Sequence, residues 1–332
     1  RRDQEADGGP GPPEGDGDGV MRSAAGAGLV LALAVLGSPA MAQSGPTTDP
    51  ALTAALRVGL KPAEYYPELQ RLAEDGNVGA RAIFDGFTAL GMGGHGRPAD
   101  FPLACRAWES GAAVSAEAAH FTAECYEHGH GGTTDLARAM DFYRQAGEGG
   151  SARSLCALGL IYVGGVAVPA DLTRGVELCR QGAEMGDANA QTDLGDFYRN
   201  GRGVTQDYAM ARLWYERAAA QQQRNAIYHL GSMDWNGQGG PVDLASAGAW
   251  MEKAYEAGRK DAAALAGQAA LLRAVPNAPR GPVDIELLAL AKRWFLVAMT
   301  EDPAEEGRAY AAVTLARISG YEALARQQAG DQ

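Results

Sequence analysis

Cys125, His128 and His130 fall within six residues of one another, in the run Cys125-Tyr126-Glu127-His128-Gly129-His130. A thiolate and two imidazoles are the ligands that hold zinc, and they would seed a metal site if further ligands arrived from elsewhere in the chain. No such ligands have an evident source. The expectation is therefore a turn with two exposed histidines, its thiol spent in a disulfide, and no metal or other cofactor. Gly91-Met92-Gly93-Gly94-His95-Gly96 spells G-x-G-x-x-G. Dinucleotide cradling needs a strand before that motif and a helix directly after it, whereas here a helical pattern precedes it. The nucleophile motifs S-x-x-K and G-x-S-x-G, the zinc motif H-E-x-x-H and the phosphate loop G-x-x-x-x-G-K do not occur in the sequence. A non-enzymatic protein with no catalytic residue is the expectation.

Charge narrows the partners. The 332 residues carry a formal net charge of −12. Setting aside the six carboxylates and three arginines of residues 1–42 leaves −9. An acidic chain repels phosphate, so nucleic acid and anionic membrane surfaces are poor partners. Residues 1–20, rich in Gly, Pro and Asp, read as a disordered upstream extension. Residues 21–42 read as a secretory signal: Met21-Arg22, an apolar stretch from Ala24 to Leu36, then Ala40-Met41-Ala42 as a small-x-small cleavage site. Gly37, Ser38 and Pro39 break the apolar run before it reaches a bilayer-spanning length.

The elements that must position everything else repeat in step. Gly129, Gly165, Gly201 and Gly237 are each separated by 36 residues, and so are Asp135, Asp171, Asp207 and Asp243. A fixed period of this size predicts stacked helix-turn-helix units. Their boundaries are set at 80–114, 115–150, 151–186, 187–222, 223–258 and a longer 259–300. In the first helix the buried stripe comprises Ala190, Leu194, Phe197 and Tyr198 in one unit and Ser154, Leu158, Ile161 and Tyr162 in another, which share a helical face. Gly159, Gly195, Gly231 and Gly267 recur in mid-helix, where glycine costs about 1 kcal/mol against alanine, so close approach of a neighbouring helix is expected. Each repeating Asp caps a second helix, whose stripe is Leu136, Ala139, Tyr143 and Ala146 or Tyr208, Ala211, Tyr215 and Ala218. Gly150, Gly186 and Gly258 suit a left-handed exit into the next unit. Within an N-terminal half-unit at 43–79, Asp49 to Lys61 and Tyr65 to Asp75 read as short helices; residues 301–332 read as a closing helix.

The segments Ala190 to Tyr198, Gly201-Arg202-Gly203-Val204-Thr205-Gln206-Asp207 and Ala211 to Ala219 resemble the Sel-one-like repeat family almost throughout. The resemblance is strongest in units three to five and weakest in the first, where Pro98 and Pro102 crowd the turn. It departs at Val166-Ala167-Val168-Pro169 and at the longer loop from Pro276 to Pro282. The resemblance implies an all-α, right-handed α-solenoid of about six repeats that serves as a protein–protein scaffold and brings no catalytic residues. Some periplasmic members of the family hold a sensor kinase inactive, and cysteine-rich members have been linked to β-lactam binding or hydrolysis. A weak β-lactam-binding or cell-wall hydrolase enzyme is accordingly the alternative to a periplasmic or secreted scaffold whose partner is an exported or membrane protein.

An exported chain with four cysteines invites two disulfides, with three connectivities open. Cys156 and Cys179 stand at matching heights on the two helices of one hairpin, and Cys105 and Cys125 stand in the same relation across the junction of units one and two. Cys105–Cys125 and Cys156–Cys179 are expected. First helices line the concave face in related solenoids, and positions offset from the buried stripe would lie on it: Glu117, Phe121, Glu124 and Glu127; Arg153, Ala157, Leu160 and Val163; Asn189, Asp193, Asp196 and Arg199; Asn225, His229, Ser232 and Trp235. Apolar groups there, ringed by charge, would mark an interaction site. A one-residue error in phase would instead pack these side chains against neighbouring helices, and the sequence leaves both readings open.

Overall fold

A computed structural model describes residues 47–55, 62–92, 98–277 and 281–330. The expected extension at 1–20, the export signal at 21–42 and Gly93 to Gly96 of the glycine motif lie outside those residues. The described residues form fifteen α-helices and no strand; Thr47 and Ser115 make one isolated bridge.

Two compact units divide the chain after Gln206. The first holds α1 (Pro50–Ala55), α2 (Pro62–Glu74), α3 (Val78–Ala89), α4 (Phe101–Gly111), α5 (Ala116–His128), α6 (Leu136–Glu148), α7 (Ala152–Gly164), α8 (Leu172–Glu184) and α9 (Ala188–Asn200). Each helix packs on the next, and first helices also touch one another, α3 on α5 and α7 on α9. The second unit holds α10 (Tyr208–Ala220), α11 (Arg224–Asn236), α12 (Leu244–Glu256), α13 (Ala262–Ala274), α14 (Ile285–Glu301) and α15 (Glu305–Gly330), likewise packed in sequence. Packing of neighbour on neighbour makes each unit an α-solenoid.

The periodic residues set the helix ends. Gly129, Gly165, Gly201 and Gly237 are left-handed C-caps with φ of 70°, 66°, 65° and 66°, a conformation that a side chain disfavours. Asp135, Asp171, Asp207 and Asp243 each accept a hydrogen bond from a backbone amide in the first turn of α6, α8, α10 and α12. Pro102 sits at the start of α4, where its missing N–H has no helical partner to lose.

Close approach follows from the small residues. A Cβ on Gly159 would collide with the Gly175 carbonyl oxygen, and one on Gly175 would strike Val163. These two glycines let α7 and α8 meet, with the Cα atoms of Cys156 and Cys179 3.8 Å apart and their sulfurs bonded. Cys105 and Cys125 form the other disulfide, linking α4 to α5 with Cα atoms 5.8 Å apart. Both pairs are those the helical geometry predicts. Ala190, Leu194, Ala139, Tyr143, Ala211 and Tyr215 from the predicted stripes are all at most 1% exposed. Tyr198, Leu136 and Tyr208, at helix ends, are only partly buried.

Candidate functional site

α5 is nearly all core, because α3, α4 and α6 pack around it. The N-terminal half of its offset face is therefore not a solvent face. Phe121 is fully buried, with its ring centroid 5.5 Å from that of Phe87 and 5.1 Å from that of Trp108. Glu117 is buried too. On α7, Val163 is buried against Gly175. In the second unit Trp235 is core, packed with Ala247, Ala269 and Leu244, and Ser232 is buried. The apolar anchors Phe121, Val163 and Trp235 thus follow the packed reading. Phe121 is covered by the preceding hairpin, Val163 by the second helix of its own, and Trp235 by its own second helix and the next first helix, a difference that repeat spacing does not reveal.

What stays accessible of that face in the first unit is mostly polar. Glu124 and Glu127 on α5, Arg153, Ala157 and Leu160 on α7, and Asp193, Asp196 and Arg199 on α9 are partly exposed, and Asn189 is exposed. Arg153 is pinned with its guanidinium carbon 4.8 Å above the Phe121 ring. Arg199 pairs with Asp196 at 3.3 Å, and the Glu127 carboxylate accepts the Tyr143 hydroxyl at 2.6 Å. In the second unit Asn225 is exposed and accepts from Arg259 at 3.2 Å, while the partly buried His229 stacks on Tyr215.

Behind the accessible row runs a buried polar chain that the sequence reading missed. Ser151 and Ser154 hydroxyls are 2.8 Å apart, Ser154 Oγ is 2.8 Å from His120 Nδ1, and His120 Nε2 is 3.2 Å from Glu124 Oε1. Burial, and then the nearby Arg153 charge, holds the His120 pKa down at about 4, so the ring is neutral at neutral pH. Burial acts to raise the Glu124 pKa, but His120 and Arg153 outweigh it and the carboxylate stays ionised. A carboxylate only accepts, so Nε2 carries the proton and Nδ1 accepts from Ser154. The order serine, imidazole, carboxylate is that of an activated nucleophile. Ser154 has no exposed surface, however, and nothing in solution can reach its oxygen. The chain is a joint between α5 and α7. One signal for it was present: Ser154 breaks a column that is otherwise Ala118, Ala190 and Ala226.

A second polar contact reaches the disulfide. Asp193 Oδ2 lies 3.5 Å from Cys156 Sγ. Burial, reinforced by the Asp196 and Asp187 carboxylates, pushes the Asp193 pKa up to about 8. A bonded sulfur has no hydrogen, so the donor is the protonated Asp193 carboxyl. Asp187, the cap of α9, is raised in the same direction by its own burial.

Cys125 is spent in its disulfide, leaving His128 and His130 on the surface with rings stacked 5.3 Å apart. No group of three or more His, Cys, Asp or Glu is placed to hold a metal among the described residues.

Comparison with known proteins follows the same pattern of helix pairs. Residues 116–151, 152–187, 188–222 and 224–258 each match the family model described as Sel1 repeat. No curated protein matches the chain. Among solved structures, a Sel1 repeat protein from Oxalobacter formigenes is similar with a TM-score of 0.56 at 22% identity, over 73% of this chain and 94% of that one. A protective antigen of uropathogenic Escherichia coli with an SLR fold gives a TM-score of 0.43 at 23% identity, over 76% of this chain and 59% of its own. An immunity protein from Pseudomonas aeruginosa gives 0.43 at 18% identity, over 71% and 81%. At these identities the likeness is one of fold.

Proposed function

Because this chain is a Sel1 repeat protein, from a family whose helix pairs mediate protein–protein contact, we propose that it is an exported, non-enzymatic scaffold. Its working surface is the first-helix face of residues 47–206, and its partner is a basic segment of another exported or membrane protein. The observation that carries this is the accessible row Glu124, Glu127 and Asp196 on α5 and α9. Carboxylates held on α5 and α9 attract a cationic segment, and Arg153 on α7 between them sets its register. Two disulfides suit an oxidising compartment outside the cytoplasm, in line with the export signal read from the sequence. Among the described residues no helix is long and apolar enough to cross a membrane. Regulation of a periplasmic signalling or envelope complex is the role this combination favours.

In-cell cross-linking followed by mass spectrometry tests the reading. The native chain is expected to retain an envelope protein through a basic segment. The triple variant Glu124→Gln, Glu127→Gln, Asp196→Asn is expected to lose it while keeping its native far-ultraviolet circular dichroism. Equal retention by both, or turnover of a chromogenic β-lactam by the pure protein, overturns the proposal.

A further inference from the structure

Gln222 is the one non-glycine residue with a positive φ among the described residues, at 60°. The same register position in three other repeats is Gly150, Gly186 and Gly258, with φ of 99°, 99° and 97°. Glycine accepts this left-handed exit without cost, whereas a side chain is disfavoured there. Stability alone gives no reason for glutamine at this corner, and strained residues cluster where a ligand is held.

The corner borders a cavity of about 530 Å³ between the ends of α10, α11 and α12, lined by Glu216, Gln222, Ile227, Trp250, Lys253 and Glu256. The whole cavity lies in residues 207–330, so it is independent of the acidic face described above. Glu216 and Glu256 are exposed and have no hydrogen-bond or ion-pair partner among the described residues, and neither has the Gln222 side-chain amide. Trp250 is partly buried, and the exposed Lys253 ammonium rests 4.4 Å from its ring centroid. A cation over an aromatic ring with a carboxylate beside it is an arrangement this chain completes elsewhere. The Arg138 guanidinium lies 4.1 Å over the Tyr126 ring and bonds to Glu109 at 3.0 Å.

We propose that this cleft is a socket for an arginine side chain of a partner polypeptide. The incoming guanidinium displaces the Lys253 ammonium from the face of Trp250 and pairs with Glu216 and Glu256, while the Gln222 amide closes the rim. Arginine fits better than lysine because a planar guanidinium stacks on indole while its edge donates to two carboxylates at once. Lys253 holds the ring face in the empty socket, a mobile cation in the place of the fixed one.

The test uses the full chain, with N-acetyl-arginine amide as probe and the uncharged isostere N-acetyl-citrulline amide as control. The readout is the indole N–H resonance of Trp250, assigned with Trp250→Phe, with Tm recorded for every variant. Arginine is expected to shift that resonance saturably and citrulline to leave it in place. The double variant Glu216→Gln, Glu256→Gln is expected to bind about fivefold or more weakly. Lys253→Met, which removes the competitor and its repulsion, is expected to bind about threefold more tightly. Gln222→Gly is expected to raise Tm and weaken binding together. A citrulline response equal to that of arginine, or no gain in Lys253→Met, overturns the socket. A Gln222→Gly variant that gains Tm with binding unchanged removes Gln222 from it.

Discussion

His120 and Asp193 sit in the same unit and titrate in opposite senses. His120 is lowered from 6.5 to about 4, so between those values the unfolded chain holds a proton that the native chain lacks, and stability rises with pH. Asp193 is raised from 3.8 to about 8, so the native chain holds the extra proton and stability falls as pH rises through that window. The two oppose one another from about 4 to 6.5, and from 6.5 to 8 Asp193 acts alone. The urea midpoint of the native chain is expected to drop between pH 6.5 and 8, and Asp193→Asn to remove that drop. Profiles that run parallel would show that Asp193 keeps an ordinary pKa. Neither group's behaviour was legible in the sequence. Asp193 read there as an open-surface acid; Asp187 and Asp196 lie on its own helix, but its burial and its contact with Cys156 come only once α7 and α9 are packed.

At the scale of elements, α7 and α8 meet through Gly159 and Gly175. Gly159→Ala drives a methyl group into a backbone carbonyl, which cannot swing aside as a side chain can. A loss of about 1–3 kcal/mol is expected in urea denaturation. Alanine tolerated without loss would mean that the helices sit further apart. The mid-helix glycine column was readable because a costly residue recurred at a fixed place. Gly175 stood outside that column, and its role depends on which residue of α7 it faces. Caps and exits were the most legible elements of all, since an Asp accepting first-turn amides and a glycine at positive φ are local devices that need no distant partner.

Across the whole molecule the covalent reinforcement is uneven. All four cysteines fall between residues 105 and 179, hence in the first unit. The two loops span 20 and 23 residues, and each disulfide contributes about 3 kcal/mol by restricting the unfolded chain. Solenoid stability is a sum over neighbours, so the effect should stay local. Under reductant, hydrogen exchange is expected to quicken in α4 to α8 while α11 to α14 keep their protection. Uniform loss along the chain would show one cooperative block in place of units that open separately.

From the residues alone came the repeat, its period, the helix ends, the disulfide pairing and the acidic character of the chain. Each of these is written in spacing, in backbone preference or in charge, and these act over one or two turns of chain. Which side of a first helix meets water was decided by tertiary packing alone. Phe121, Val163 and Trp235 hold the same repeat positions as residues that stay accessible, yet the helices packed beside them cover them. The Ser154–His120–Glu124 joint, the protonated Asp193 and the cleft beside Gln222 arise likewise between helices of different repeats. Burial and pairing between elements depend on distances that no linear spacing encodes.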